Sequence, residues 1–171
     1  MGKRSWKLLS MSALLLTGVL FLSGCDVFGP SKSSIEKESV SVVNKMLKEN
    51  NIVCTCTSVR INKELGNDSY QATASTTEGP IGVIIEIKGK MIYAKLDFED
   101  QSSVMLFAKT IINNNNQYGV KCTRLSNPLK TGDNEYLATA HLSNGESGNV
   151  KITVSGNYVQ VTPVAGDDDE Y

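Results

Sequence analysis

Two stretches of the chain carry apolar residues at helical spacing, and each is followed by segments that alternate apolar and polar residues. Residues 34–50 and residues 102–114 have the helical spacing, which predicts one amphipathic helix in each. Four segments of period-two alternation follow each helix, separated by turn sequences such as "LGND" and "KGK". The pattern therefore predicts a helix and four antiparallel strands, and it predicts this unit twice.

The two predicted units are also related in sequence. "CTSVRINKELGNDSYQATAS" at 56–75 aligns without gaps with "CTRLSNPLKTGDNEYLATAH" at 122–141, and Gly82 then falls on Gly148, with one residue inserted after it. A match of this length indicates an internal duplication. The predicted fold class is α+β, with tandem helix-plus-four-stranded repeats at 35–99 and 100–164. They form two sheets or one continuous eight-stranded sheet with the helices on one face.

The N-terminus has the organisation of a bacterial secretion signal. Three basic residues precede a mostly apolar stretch, and Leu22-Ser23-Gly24 leads directly into Cys25. These four residues resemble the lipobox of bacterial lipoproteins. The resemblance implies that residues 1–24 are a signal peptide removed before Cys25, whose sulfur carries diacylglycerol and whose amino group carries a further acyl chain such as palmitate. It therefore predicts a lipid-anchored protein on a membrane surface outside the cytoplasm.

Asp26 directly follows the predicted lipidated cysteine. In enterobacterial lipoproteins an aspartate at this place resembles an inner-membrane retention signal. In a diderm source it would favour the periplasmic face of the inner membrane.

The segments that flank the repeats are polar. Residues 25–34 contain Gly, Pro and Ser and are predicted to tether the domain to the lipid, and residues 165–171 are predicted to be an acidic, disordered tail. Removing residues 1–24 leaves 14 Lys and Arg against 18 Asp and Glu, without a basic cluster. Nucleic acid is therefore excluded as a partner, because binding phosphates requires clustered basic side chains.

Three cysteines remain after Cys25 is assigned to lipid, and three interpretations are open for them. Cys56 and Cys122 are equivalent in the repeats, whereas Cys54 aligns with Val120, which favours packed thiols. In an oxidising compartment, Cys122 could instead form a disulfide with Cys56 or with Cys54. Third, the three cysteines and the single histidine, His141, make up a Cys₃His zinc composition.

The zinc interpretation is disfavoured, because Cys-x-Cys lacks the C-x₂₋₄-C spacing typical of zinc knuckles. No metal or other cofactor is therefore predicted. Counting back from the turn at 131–134 places His141 opposite Arg124, near Cys122. His141 ends its predicted strand, so we expect an exposed histidine at the edge of the sheet.

Motifs of enzymes such as G-x-S-x-G and H-E-x-x-H do not occur in the sequence. The layout is similar to that of the β-lactamase inhibitor protein family and of small BamE-type lipoproteins, which implies that the sheets hold partner proteins. We therefore expect a non-enzymatic, lipid-anchored envelope protein that binds an envelope protein through a sheet surface. Such a binder predicts an exposed apolar or aromatic patch on the sheet face away from the helices. The alternative is a carrier or binder of a small ligand or cell-wall glycan, and an enzyme is third.

Overall fold

The computed structural model describes residues 9–12, 30–115, 119–156 and 158–164. The predicted lipidation site, most of the signal peptide and tether, and the acidic tail lie outside these residues. In the described ranges the helices and strands follow one another as β1 (Leu9–Ser12), α1 (Lys32–Glu49), β2 (Cys56–Gly66), β3 (Ser69–Thr76), β4 (Gly79–Lys88), β5 (Met91–Leu96), α2 (Gln101–Asn114), β6 (Cys122–Gly132), β7 (Glu135–Leu142), β8 (Ser147–Ser155) and β9 (Tyr158–Pro163).

The eight strands from β2 onward form two separate antiparallel sheets. One has the order β2-β3-β4-β5, and the other has the order β6-β7-β8-β9, with the short strand β1 paired to β9. The α+β class with two helices and two four-stranded sheets is confirmed, whereas the alternative of one continuous eight-stranded sheet is wrong. The described residues divide into a first unit, 30–106, and a second unit, 107–164 together with β1.

The core of the first unit lies between α1 and its sheet. Ser31 caps α1, because its side chain accepts a hydrogen bond from the Ser34 N–H. The buried residues of α1 recur three or four positions apart, as expected for a helix with one apolar face. Every second residue of β4 and β5 is buried with them. The core side chains of α1, β4 and β5 include Ile35, Val42, Val43, Met46, Leu47, Ile81, Val83, Ile85, Ile87, Ile92, Ala94 and Leu96.

The core of the second unit uses the same pattern of alternating strand residues. Its strands bury Ala138 and Ala140 of β7, which are equivalent to the buried Ala72 and Ala74 of β3. Small side chains at these positions leave volume for larger neighbours in a close-packed interior. The larger buried side chains of this unit include Phe107, Ile111, Tyr136, Val150, Ile152, Val159 and Val161.

Strand pairing places the single-residue insertion between the repeats earlier than the sequence alignment does. Thr73 pairs with Gly82 in the first sheet, and the equivalent Thr139 pairs with Asn149 in the second. Asn149 is therefore the counterpart of Gly82, and the alignment of Gly82 with Gly148 is wrong. The extra residue lies in the β7–β8 turn, where it changes the turn length without reversing the faces of β8.

The start of α2 is fastened to β4 at Gly82. Asp100 Oδ2 accepts hydrogen bonds from the Gly82 N–H at 3.0 Å and from the Ser103 N–H at 2.9 Å. Ser103 Oγ in turn donates to the Gly82 carbonyl at 2.8 Å. Asp100 therefore acts as the cap of α2 and as its contact with the sheet. A Cβ atom on Gly82 would lie 2.5 Å from the Asp100 Cβ, so this contact requires glycine.

Candidate functional site

The repeated Cys-Thr dipeptides begin equivalent strands, and both cysteines are buried there. Cys56 is the first residue of β2 and 2% exposed, and Cys122 is the first residue of β6 and 1% exposed. The register of each strand shifts directly after its cysteine, which marks a β-bulge. Each Sγ donates to the carbonyl two residues further on, at Ser58 in one strand and Arg124 in the other. Both thiols are thus enclosed in a distorted strand start.

An asparagine on the preceding helix holds each cysteine by its backbone. In the first unit the Asn44 side chain accepts from the Cys56 N–H at 2.8 Å and donates to the Cys56 carbonyl at 2.9 Å. In the second unit Asn113 makes the same pair of bonds to Cys122, at 2.6 and 3.1 Å. We call these two arrangements the Asn–Cys clamps. Each one satisfies a backbone donor and a backbone acceptor at the first residue of an edge strand.

The threonine after each cysteine also has the same role in both units. Thr57 Oγ1 donates to the Ser75 carbonyl at 3.2 Å, and Thr123 Oγ1 donates to the His141 carbonyl at 3.1 Å. Each bond joins the bulge to the neighbouring strand. The duplicated Cys-Thr dipeptide is therefore explained by local structure in both repeats.

Burial raises the pKa of the Cys56 and Cys122 thiols above the usual cysteine range, chiefly because the interior disfavours the thiolate. The folded protein therefore keeps protons that the unfolded chain releases above about pH 8.5. The stability contributed by these thiols is complete below that pH and decreases as the pH rises toward their folded pKa. Burial also protects these thiols from alkylating reagents, because the reaction requires an accessible thiolate.

We expect Cys56 and Cys122 in the folded protein to react with iodoacetamide at least roughly 100-fold more slowly than in urea, because reaction requires local opening. Mass spectrometry of the alkylated full-length chain measures both rates.

We also expect the difference in unfolding free energy between pH 7.5 and pH 9.5 to shrink in the Cys56→Val, Cys122→Val double variant. Fast labelling of either native thiol, or an unchanged difference between the two pH values, would contradict the packed-thiol interpretation.

The structure bears differently on the disulfide and the zinc interpretations of the cysteines. Cys56 and Cys122 are thiols in the structure, and the disulfide that would join Cys122 to Cys56 or Cys54 stays a prediction. Cys54 is half-buried and lies before β2, so it does not share a strand face with Cys56. In the described ranges no three His, Cys, Asp or Glu side chains gather where they could hold a metal ion, so the Cys₃His set with His141 gains no support.

His141 lies opposite Arg124, as predicted, but it is not at the edge of the sheet. Its strand, β7, runs between β6 and β8, and the side chain is half-buried. The Nε2 atom is 2.6 Å from Ser126 Oγ, and Nδ1 is 3.1 Å from Ser147 Oγ. The expectation of an exposed edge histidine is wrong, because hydroxyl groups from both neighbouring strands hold the ring. A neutral imidazole supplies one donor and one acceptor to such partners.

The duplication also allows the two sheets to be compared position by position. Buried positions stay apolar in both units: Val83 and Val150, Ile85 and Ile152, Ile87 and Val154, Ile92 and Val159, Ala94 and Val161. The outer positions, which alternate with them, differ in every pair: Ile84 and Lys151, Glu86 and Thr153, Lys88 and Ser155, Met91 and Tyr158, Tyr93 and Gln160, Lys95 and Thr162. The need to pack a core therefore explains why the inner faces of the two sheets stay apolar, whereas their outer faces carry different side chains.

The outer side chains of β4 and β5 in the first unit form a connected cluster. Glu86 accepts hydrogen bonds from Lys95 Nζ at 2.8 Å and from Lys88 Nζ at 3.0 Å, and these contacts lower the pKa of the Glu86 carboxyl. Lys88 Nζ also lies 5.4 Å from the centre of the Tyr93 ring. We call this cluster the β4–β5 face, and its members are Ile84, Glu86, Lys88, Met91, Tyr93 and Lys95.

The apolar members of the β4–β5 face, Ile84, Met91 and Tyr93, are half-buried. Among the residues that the structure describes, Tyr158 on the outer face of the second sheet is more exposed. The other large apolar side chains with greater exposure are Val53, Leu65, Leu129 and Val164. On the β4–β5 face, half-buried apolar side chains adjoin charged groups, and the exposed apolar patch expected of a binder stays a prediction.

The two clamp asparagines and the Gly82–Asp100 contact were missed by sequence reasoning. Each asparagine reads as an ordinary polar residue of an amphipathic helix. The available signal is that Asn44 and Asn113 each precede a Cys-Thr dipeptide by a short distance, twelve and nine residues respectively. Because these separations differ, an ungapped alignment of the repeats does not bring the asparagines together.

None of the helices in the described ranges combines the length and apolarity needed to cross a bilayer. Comparisons with models of protein families, with curated proteins and with solved structures gave no match to this chain.

Proposed function

We propose that this chain is a lipid-anchored, non-enzymatic protein of the cell envelope that binds another envelope protein through a sheet surface. The lipobox resemblance at Leu22-Ser23-Gly24-Cys25 supports the anchor. An acylated cysteine holds a protein on a membrane durably when two or more chains are attached. The division of each sheet into an apolar inner face and a polar outer face supports the binding role.

The observation that carries the binding role is the composition of the β4–β5 face. Protein interfaces combine aromatic and aliphatic side chains with charged groups at their rim. Tyr93 and Ile84 supply the apolar surface here, and the Glu86–Lys95 pair supplies the charge. Five of the equivalent positions in the second unit carry polar residues, among them Lys151 and Gln160, and the sixth carries the exposed Tyr158, so the two outer faces differ in what they can bind.

A small polar ligand or a cell-wall glycan is the second candidate, and the outer face of the second unit favours it. Thr139 Oγ1 donates to the Asn149 side chain at 3.2 Å, and the adjacent outer positions carry Thr153, Gln160 and Thr162. Hydroxyl and amide groups both donate and accept hydrogen bonds, as the hydroxyl groups of a glycan require.

Replacing Cys25 by serine is expected to abolish acylation and the cleavage before residue 25, because the hydroxyl group cannot replace the thiol as acyl acceptor and cleavage follows acylation. Cys54→Ser is the matched control and is expected to keep both properties. Incorporation of a palmitate analogue in a diderm host, followed by intact mass and membrane fractionation, measures the change. Acylation of Cys25→Ser, or its loss in Cys54→Ser, would contradict the anchor.

The same membranes test the binding role. A photo-crosslinking amino acid at Tyr93 is expected to capture one defined protein. The same group at Lys151, the β8 residue equivalent to Ile84, is expected to give at least roughly tenfold less of that product. Equal capture from both positions, or none from either, would contradict binding through the β4–β5 face while leaving the lipid anchor intact.

A further inference from the structure

Strand β9 is the outermost of the four long strands of the second unit, and a short N-terminal segment is paired with it. β1 runs antiparallel to β9, with Leu9 opposite Val161 and Ser12 opposite Tyr158. The paired segment lies inside residues 1–24, the part that the proposed function removes. The inference below rests on that proposed function, because removal of β1 leaves β9 at the edge of the sheet.

The other sheet edges carry features that discourage pairing with another chain. β2 and β6 each contain three register shifts, and both carry basic side chains. β5 carries Lys95. In natural proteins bulges and lysines protect edge strands from further pairing. β9, with the sequence YVQVTP, has neither a charge nor a shift in its register with β8.

The direction of the β9 backbone groups also fits an added strand. The Val164 N–H donates to the Asn149 carbonyl of β8, and the N–H groups of successive strand residues point to opposite sides. The N–H groups of Val159 and Val161 therefore point away from β8, toward β1. Pro163, the next residue in that series, has no N–H, so the outward-facing ladder ends there.

We infer that the mature protein uses the edge of β9 to bind an extended segment of a partner protein as an added antiparallel strand. Main-chain hydrogen bonds to Val159 and Val161 supply the affinity of such a complex, and alternating side chains supply its specificity. The segment that occupies the edge in the uncleaved chain, Leu9–Ser12, alternates apolar residues with serine. The partner segment has the same alternation of apolar and small polar residues, and cleavage before Cys25 makes the edge available to it.

A synthetic peptide with the sequence of residues 5–14 is the probe. It contains Trp6, the single tryptophan of the chain, so the processed protein contributes no tryptophan fluorescence. Binding to mature protein, purified from membranes in detergent, is followed by the fluorescence of Trp6 in the peptide. Binding to the uncleaved Cys25→Ser chain, which retains its own Trp6, is measured by calorimetry. Two peptide variants are compared, one N-methylated at Leu9 and Met11 and the other N-methylated at Ser10 and Ser12.

The expected result is binding to the mature protein and none to the Cys25→Ser chain, whose own β1 covers the edge. N-methylation at Leu9 and Met11 removes the donors that face β9 and should weaken binding about tenfold or more, because two main-chain hydrogen bonds are lost. N-methylation at Ser10 and Ser12 should change the affinity less than about threefold, since those N–H groups face away from β9.

Three results would overturn the inference. The first is absence of binding to correctly processed protein, or equal weakening by both methylated peptides, and it leaves the lipid anchor standing. The second is a dimer in sedimentation that the peptide does not dissociate, because the edge then binds a second copy. The third is an intact mass showing that the wild-type chain keeps residues 1–24. This result would contradict the proposed processing, and β9 would then stay covered by β1.

Discussion

Gly82→Ala is expected to lower the free energy of unfolding of the first unit by about 2–4 kcal/mol. The new methyl group would lie 2.5 Å from the Asp100 Cβ, and that atom is fixed because the Asp100 carboxylate both caps α2 and accepts the Gly82 N–H. Relief of the overlap must therefore move either the strand or the start of the helix. Urea denaturation of the full-length chain, followed by circular dichroism, measures the loss.

Gly148→Ala is the matched control for this prediction. A Cβ atom on Gly148 meets nothing within 4 Å, so the change is expected to stay within about 0.5 kcal/mol. A second control is Gly82→Ala combined with Asp100→Gly, which removes the clashing Cβ and should cost less than the sum of the two single changes. Equal effects of the two alanine substitutions would show that Asp100 is not rigidly held against β4.

Removing either Asn–Cys clamp should have the next largest effect. Asn44→Ala and Asn113→Ala each leave one N–H and one carbonyl of a buried cysteine without their partner, and we expect a loss of about 2–3 kcal/mol for each. The loss should be confined to the unit that contains the substitution. Hydrogen exchange of the Cys56 and Cys122 amides, measured alongside urea denaturation, tests both the magnitude and the location.

Asn62→Ala is the matched control for the clamps, because it removes an exposed side-chain hydrogen bond to Thr73 and should change stability by less than about 0.5 kcal/mol. Asn113→Asp separates the two halves of the clamp. It keeps an acceptor for the Cys122 N–H but places an oxygen against the Cys122 carbonyl, so it should destabilise about as much as alanine. If Asn113→Asp leaves the free energy of unfolding unchanged, the hydrogen bond that Asn113 donates to the Cys122 carbonyl contributes nothing to stability.

Local periodicity was sufficient to predict the helices, the eight strands from β2 onward and the pairing of His141 with Arg124, because these depend on neighbouring residues and on turn length. Strand β1 was not predicted, because its residues were assigned to the signal peptide. Local periodicity was not sufficient to predict that the sheets are separate, since the same alternation of apolar and polar residues occurs in one continuous eight-stranded sheet and in two four-stranded sheets. The insertion was misplaced because Gly82 and Gly148 match as letters, whereas strand register is set by the length of the intervening turn.

The candidate site was less predictable than the fold. Packed thiols at Cys56 and Cys122 were one of three interpretations that the sequence left open. Their asparagine partners were not predicted, because a helix residue and a strand residue meet only through tertiary packing. The Ser126 and Ser147 contacts of His141 come from the strands on either side of β7. Recognising them from sequence requires the register of three strands at once.

The unequal spacing of the clamps, twelve residues in one unit and nine in the other, has a practical consequence. In each unit the clamp joins an asparagine of the helix directly to the cysteine that begins the next strand. The segment that connects the two can therefore differ in length while the clamp stays the same. Exposed positions in loops tolerate inserted sequence. Val53, which is 93% exposed although its neighbour Ile52 is buried, is therefore a suitable attachment point for an epitope or fluorophore that reports on the protein in intact cells.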